Sequence, residues 1–96
     1  MFGSYEVDFS KVNLHWCNSV CIQLDEIDYL LALPEHSVCY LREGGLYEIV
    51  GYTNYHKFVA VTFAVTPEKV IIESVALPGY GSIRDVVLRQ FLEESN

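Results

Sequence analysis

Basic residues are scarce in this chain: six Lys and Arg stand against 13 Asp and Glu, for a net charge of −7. Proteins that hold nucleic acid neutralise phosphates with Lys and Arg, so DNA is not expected as a partner and RNA is an unfavourable one. An anionic membrane surface is disfavoured on the same ground. Long apolar runs are missing too; none approaches the ~20 residues that span a bilayer. Met1 to Ser10 has neither a basic start nor an apolar stretch, so no secretory leader is expected there. Cysteine is limited to Cys17, Cys21 and Cys39, an odd number without a Cys-x-x-Cys pair. That excludes a full disulfide framework and points to a reduced, cytoplasmic protein with buried thiols. With three Pro, six Gly, and no repeat or low-complexity stretch, the 96 residues read as one domain, 1–96. The glycine clusters Gly44-Gly45 and Pro78-Gly79-Tyr80-Gly81 fit turns, and neither matches a strand-to-helix phosphate loop.

What the chain does have is apolar residues, at 51%, and seven tyrosines. Folding is therefore expected, with roughly 60–65% of the unfolded surface buried at this size. The periodicity predicts an α+β fold. Tyr5 to Phe9 alternates like a short edge strand. Ser10 to Cys21 is ambiguous, with Ser10 a candidate cap for a short helix carrying Val12, Leu14 and Trp16. Asp25 to Leu33 reads as a helix that faces inward with Ile27, Leu30 and Leu31 and stops at Pro34. Four strands follow in a tight antiparallel meander: Val38–Arg42, Leu46–Thr53, Lys57–Val65 and Val70–Ala76. Ser82 then caps a helix running to about Glu94, with Ile83, Val86, Val87 and Phe91 as its apolar stripe.

Loop lengths set which side chains share a face. Three-residue loops at Glu43–Gly45 and Asn54–His56 pair Arg42 with Leu46, Tyr40 with Glu48, and Glu48 with Thr62. A two-residue turn at Pro67-Glu68 pairs Val65 with Val70 and Thr62 with Glu73. One face then carries Leu41, Ile49, Val59, Val61, Phe63, Val65, Val70 and Ile72, a core for the helices to cover. The other carries Tyr40, Arg42, Glu48, Tyr52, Phe58, Thr62 and Glu73. A slip of one residue in any turn would exchange the faces beyond it.

This order of elements resembles the BrnT-type toxins of the RelE ribonuclease superfamily. Val7-Asp8-Phe9-Ser10-Lys11 is similar to the family's opening strand, acid and lysine-bearing helix. Leu24-Asp25-Glu26-Ile27-Asp28-Tyr29-Leu30-Leu31 is similar to its second helix. Ile49-Val50-Gly51-Tyr52, Lys57-Phe58-Val59-Ala60-Val61 and Ile71-Ile72-Glu73-Ser74 look like its strands. The resemblance implies that fold and, in an intact member, RNA cleavage. The chain departs from the family where the chemistry lies. Leu46-Tyr47-Glu48 stands where an arginine is expected, and Ala76-Leu77 stands where a basic pair is expected. Lys11, Arg42, Lys57 and Arg84 are left as basic contacts for phosphate.

Other constellations point to no catalytic residue, metal or cofactor. Cys17 and Cys21 would share a helix face and, with His15 and His36 or His56, resemble a zinc set, but buried thiols beside Trp16 fit the spacing better. Glu48 and Glu73 flank Thr62, an arrangement able to do acid–base work only if their environments differ. The tyrosines of the outer face suit an interface, since Tyr buries much area with one polar end. The expectation is therefore a non-catalytic interaction protein, a homo-oligomer (dimer) or the partner of another protein through its Tyr-rich sheet face. The alternatives are a toxin-like ribonuclease, or a small-molecule binding domain or enzyme using the same face.

Overall fold

In the computed structural model, which describes residues 5–35 and 37–78, the expected α+β architecture is present with a mixed rather than an all-antiparallel sheet. Strand β1 is Glu6–Asp8, β2 Val38–Leu41, β3 Tyr47–Tyr52, β4 Phe58–Val65 and β5 Lys69–Ala76. They lie in the order β1-β5-β4-β3-β2. β2 to β5 form the antiparallel meander, and β1 joins β5 in parallel, with Val7 opposite Val70. The C-terminal helix expected at 82–94 lies outside the described residues.

Helix α1, Leu14–Ser19, begins three residues later than a Ser10 cap would place it. Asn13 is the cap: its Oδ1 accepts the Trp16 backbone N–H at 3.0 Å, replacing a partner the first turn lacks. Ser10 instead gives its N–H to Asp8 Oδ1 at 2.8 Å. Helix α2, Leu24–Leu31, ends at Ala32, and Leu33 takes a left-handed φ of 53° before Pro34. Ile27, Leu30 and Leu31 are buried, as the period of 3.6 requires.

Both helices cover one face of the sheet. Cys17, Ile22, Ile27, Leu30 and Leu31 pack there against Ile49, Val59, Val61, Phe63, Val70 and Ile72. Leu41 does not join them, although alternation puts it on that face. It stands at the end of the outermost meander strand, 64% exposed.

The predicted turns are observed at both hairpins of β3. Arg42 N–H bonds the Leu46 carbonyl at 2.6 Å across a 3-10 turn, Glu43–Gly45, in which both glycines have positive φ. Thr53 N–H bonds the Lys57 carbonyl at 2.8 Å across Asn54–His56. Tyr40 therefore faces Glu48, and Glu48 faces Thr62, as expected. The last pairing departs from expectation. Val65 faces Val70 and Phe63 faces Ile72, but Thr62 faces Ser74. Glu73 is the extra residue of a β-bulge, which places two residues of one strand opposite one of its partner. The row Glu48–Thr62–Glu73 is thus broken at its third member.

Gly51 marks a close approach. A Cβ added there would stand 2.6 Å from Ser37 Cβ and 3.0 Å from its Cα. Gly51→Ala is expected to cost about 1–2 kcal/mol, the lower part of the range for overpacking because Ser37 lies outside the strands and can shift. Urea unfolding monitored by circular dichroism measures it. A loss below about 0.5 kcal/mol would show that the Ser37 segment moves away freely.

Candidate interaction site on the outer sheet face

The face opposite the helices has two parts. In its middle, Val50, Phe58 and Ala60 are buried, flanked by the half-buried Val38, Tyr40 and Tyr52. Tyr52 and Phe58 meet with ring centroids 5.0 Å apart, a cross-strand aromatic pair. The single chain thus already keeps Phe58 from water, and Val38, Tyr40 and Tyr52 at its margin remain in partial contact with solvent.

The second part is polar. Glu48 projects from β3 with 4% of its surface exposed. Its Oε1 accepts the Tyr40 hydroxyl. Its Oε2 accepts Arg42 Nη1 at 3.0 Å and the Thr62 hydroxyl at 3.3 Å. A carboxylate removed from water is retained when it is paired and its lone pairs are filled, and the donors here come from β2 (Tyr40), the residue that follows it (Arg42) and β4 (Thr62). Arg42, 42% exposed at its side chain, borders a cleft of about 550 Å³ with Tyr40, Leu41, Leu46, Thr62 and Ser74.

Glu73 also borders this cleft, but the bulge turns it toward Lys11, whose Nζ lies 3.1 Å from both carboxylate oxygens. Glu48 and Glu73 therefore have separate partners, and the expected carboxylate pair across Thr62 is not formed. Lys11, Asn13, Trp16 and Cys17 line a smaller recess of about 250 Å³ on the other side of Glu73 and Ser74.

A buried polar hub at the opposite end of β3 has little signature in the chain. Glu26, fully buried in α2, accepts the Gln23 backbone N–H at 2.7 Å, the Thr53 hydroxyl at 2.7 Å and Lys57 Nζ at 3.2 Å. Lys57 also donates to the Cys21 carbonyl. The hint available was the spacing of Gln23 and Glu26, which places a carboxylate three residues after a helix cap.

The cysteines are free and do not share a helix face. α1 ends before Cys21, which sits at φ 59° and is exposed, while Cys17 is buried. Among the described residues no group of three or more His, Cys, Asp or Glu is placed to hold a metal. Burial raises the Cys17 and Cys39 thiols above their ordinary value. A disulfide-exchange reagent at neutral pH should therefore modify Cys21 first, and denatured, unreduced protein should yield three thiols. Fast modification of Cys17, or fewer than three thiols, would contradict this.

No described helix is long and apolar enough to cross a membrane. The described residues define an α+β protein in which a mixed five-stranded sheet has two helices on one face. No family model, no curated protein and no solved structure matches the chain.

Proposed function

We propose that this chain is a non-catalytic interaction protein that self-associates, or binds another protein, through the rim of its Tyr-rich sheet face. The observation that carries it is the state of Arg42. Its Nη1 is fixed on the buried Glu48, while Nε and Nη2 make no hydrogen bond to described residues and lie beside a cleft bordered by Tyr40 and the exposed Leu41. Arg and Tyr are the side chains that most often anchor interfaces. An arginine already held in place forfeits less freedom when a partner arrives.

Ribonuclease chemistry of the kind the BrnT resemblance implies asks for cations free to hold phosphate. Each described Lys and Arg is instead engaged by a carboxylate: Lys11 by Glu73, Arg42 by Glu48, Lys57 by Glu26 and Lys69 by Asp8. Together with the net charge of −7, this favours a protein partner over RNA.

Light scattering across a concentration series tests the proposal. The expected result is a dimer that Tyr52→Glu or Arg42→Ala weakens at least tenfold while the circular dichroism spectrum is unchanged, together with weak RNA binding and no RNA cleavage. A monomer at every concentration removes self-association. Cleavage that Lys57→Ala abolishes would replace the proposal with the nuclease alternative.

A further inference from the structure

The two outer strands of the sheet meet solvent differently. A free strand edge offers N–H and C=O groups to another chain, and proteins blunt it with charge, proline, a bulge or brevity. β1 is blunted: it has three residues, two of them acids, with Asp8 held by Lys69 at 3.0 Å. β2 is not. Val38–Leu41 contains no charge and no proline and pairs with β3 in unbroken register. Leu41 is the most exposed large apolar side chain among the described residues.

The phase of the ladder decides which groups are offered. The bond from Arg42 N–H to Leu46 makes that pair a hydrogen-bonded one. Bonded and non-bonded pairs alternate in antiparallel sheets, so Val38 and Tyr40 direct their backbone toward β3. Cys39 and Leu41 direct theirs outward, where no described strand lies.

We propose that β2 is the dimerisation edge, pairing antiparallel with β2 of a second copy of this chain across a two-fold axis. Self-pairing of one strand closes the assembly, because both β2 edges are satisfied and the blunted β1 lies at each outer end. Pairing of β2 with the acidic β1 of the next copy would leave an unblunted β2 edge open to further addition. In a chain of net charge −7, Ser37 to Arg42 holds no acid, so the two β2 strands themselves bring no negative charges together. Engaging both outward residues sets Cys39 opposite Leu41 of the second copy and puts Tyr40 on the axis, facing its own counterpart in a non-bonded pair. Leu41 is then covered, and Tyr40 gains an aromatic cross-strand neighbour. The inference rests on the self-associating form of the function proposed above and specifies its geometry.

Two variants test it. Leu41→Lys places a charge on the edge and should abolish the dimer in light scattering, with the circular dichroism spectrum unchanged and the melting temperature no longer dependent on concentration. Leu41→Cys, made with Cys21→Ser to remove the exposed thiol, should give a covalent dimer on mild oxidation. Bonded antiparallel Cα atoms lie ~5.5 Å apart, inside the ~4.4–6.8 Å range that a disulfide spans. That crosslink should vanish when Cys39→Ser is added. A dimer that survives Leu41→Lys, or Leu41→Cys that fails to crosslink, overturns the edge geometry while leaving face-mediated association, which Tyr52→Glu tests separately. A wild-type monomer overturns both. Assemblies that grow with concentration beyond a dimer overturn the closed pair.

Discussion

Glu26→Ala is expected to destabilise the protein by about 3–4 kcal/mol, within the range for removing one partner of a buried ion pair. The substitution leaves three donors without their acceptor: the Gln23 N–H, the Thr53 hydroxyl and Lys57 Nζ. Thr53 is itself buried, so its hydroxyl cannot turn to water. Lys57 is 30% exposed at its side chain and can recover some hydration, which keeps the loss below the upper limit of that range. The three donors come from the start of α2 and from both sides of the β3–β4 turn, so one carboxylate ties a helix end to a hairpin. At ~4–8 °C per kcal/mol for a domain of this size, the melting temperature should fall by more than ~10 °C. Glu26→Gln retains an acceptor for Thr53 and should lose less, about 1–2 kcal/mol. Equal losses from Ala and Gln would show that the charge, not the hydrogen-bond geometry, is what matters.

The same carboxyl sets an acid limit. Burial acts to raise its pKa, but the hydrogen bonds from Gln23, Thr53 and Lys57 and the charge of Lys57 outweigh burial, and the pKa lies below its ordinary 4.5. A carboxyl depressed in the folded state contributes stability above its unfolded pKa and loses it as pH falls through the folded value. The stability gap between wild type and Glu26→Gln should thus be flat above pH 5 or so and shrink below about 4.5. Asp8 follows the same sign. Hydrogen bonds from Ser10 and then Lys69 hold its carboxyl well below the usual range, so acid also loosens the junction of β1 and β5.

Local features of the chain made most of this fold legible. Gly44-Gly45 and the Asn54–His56 turn have fixed lengths, and turn length sets register, so the faces of β2, β3 and β4 follow from counting. The placement of Tyr40 beside Glu48 and Thr62 was visible for that reason. The bulge at Glu73 was not, because Ile71-Ile72-Glu73-Ser74 carries no glycine or other mark of an extra residue. The partner that Glu73 meets there is also distant in sequence: Lys11, 62 positions away, holds its carboxylate. Parallel pairing of β1 with β5 joins residues as far apart as Glu6 and Lys69, and a three-residue alternation does not state its partner. The Glu26 hub escaped for a similar reason. An acid in the first turn of a helix is already accounted for by the dipole, and nothing local says that a lysine and a threonine of a distant hairpin will cover it.

Glu48→Ala should cost about 2–3 kcal/mol, less than Glu26→Ala because Arg42, with 42% of its side chain exposed, retains water when its partner is lost. Tyr40 and Thr62 lose an acceptor together, and the cavity left in a nearly closed site adds to the loss. The converse change, Arg42→Ala, removes the Arg42 guanidinium from the buried Glu48 carboxylate while the Tyr40 and Thr62 hydroxyls stay, and should cost about 1–2 kcal/mol. Because the two side chains share one network, the double variant should be less damaged than the sum, with a coupling of about 1 kcal/mol or more. Chemical denaturation of the four proteins measures that coupling directly. Strict additivity would mean that Arg42 is solvated and merely near Glu48. In that event the arginine is not preorganised, and Arg42→Ala should no longer weaken association apart from its effect on folding. A coupling of the expected size, found together with weakened association in the folded Arg42→Ala protein, ties the buried carboxylate to the binding rim through one guanidinium.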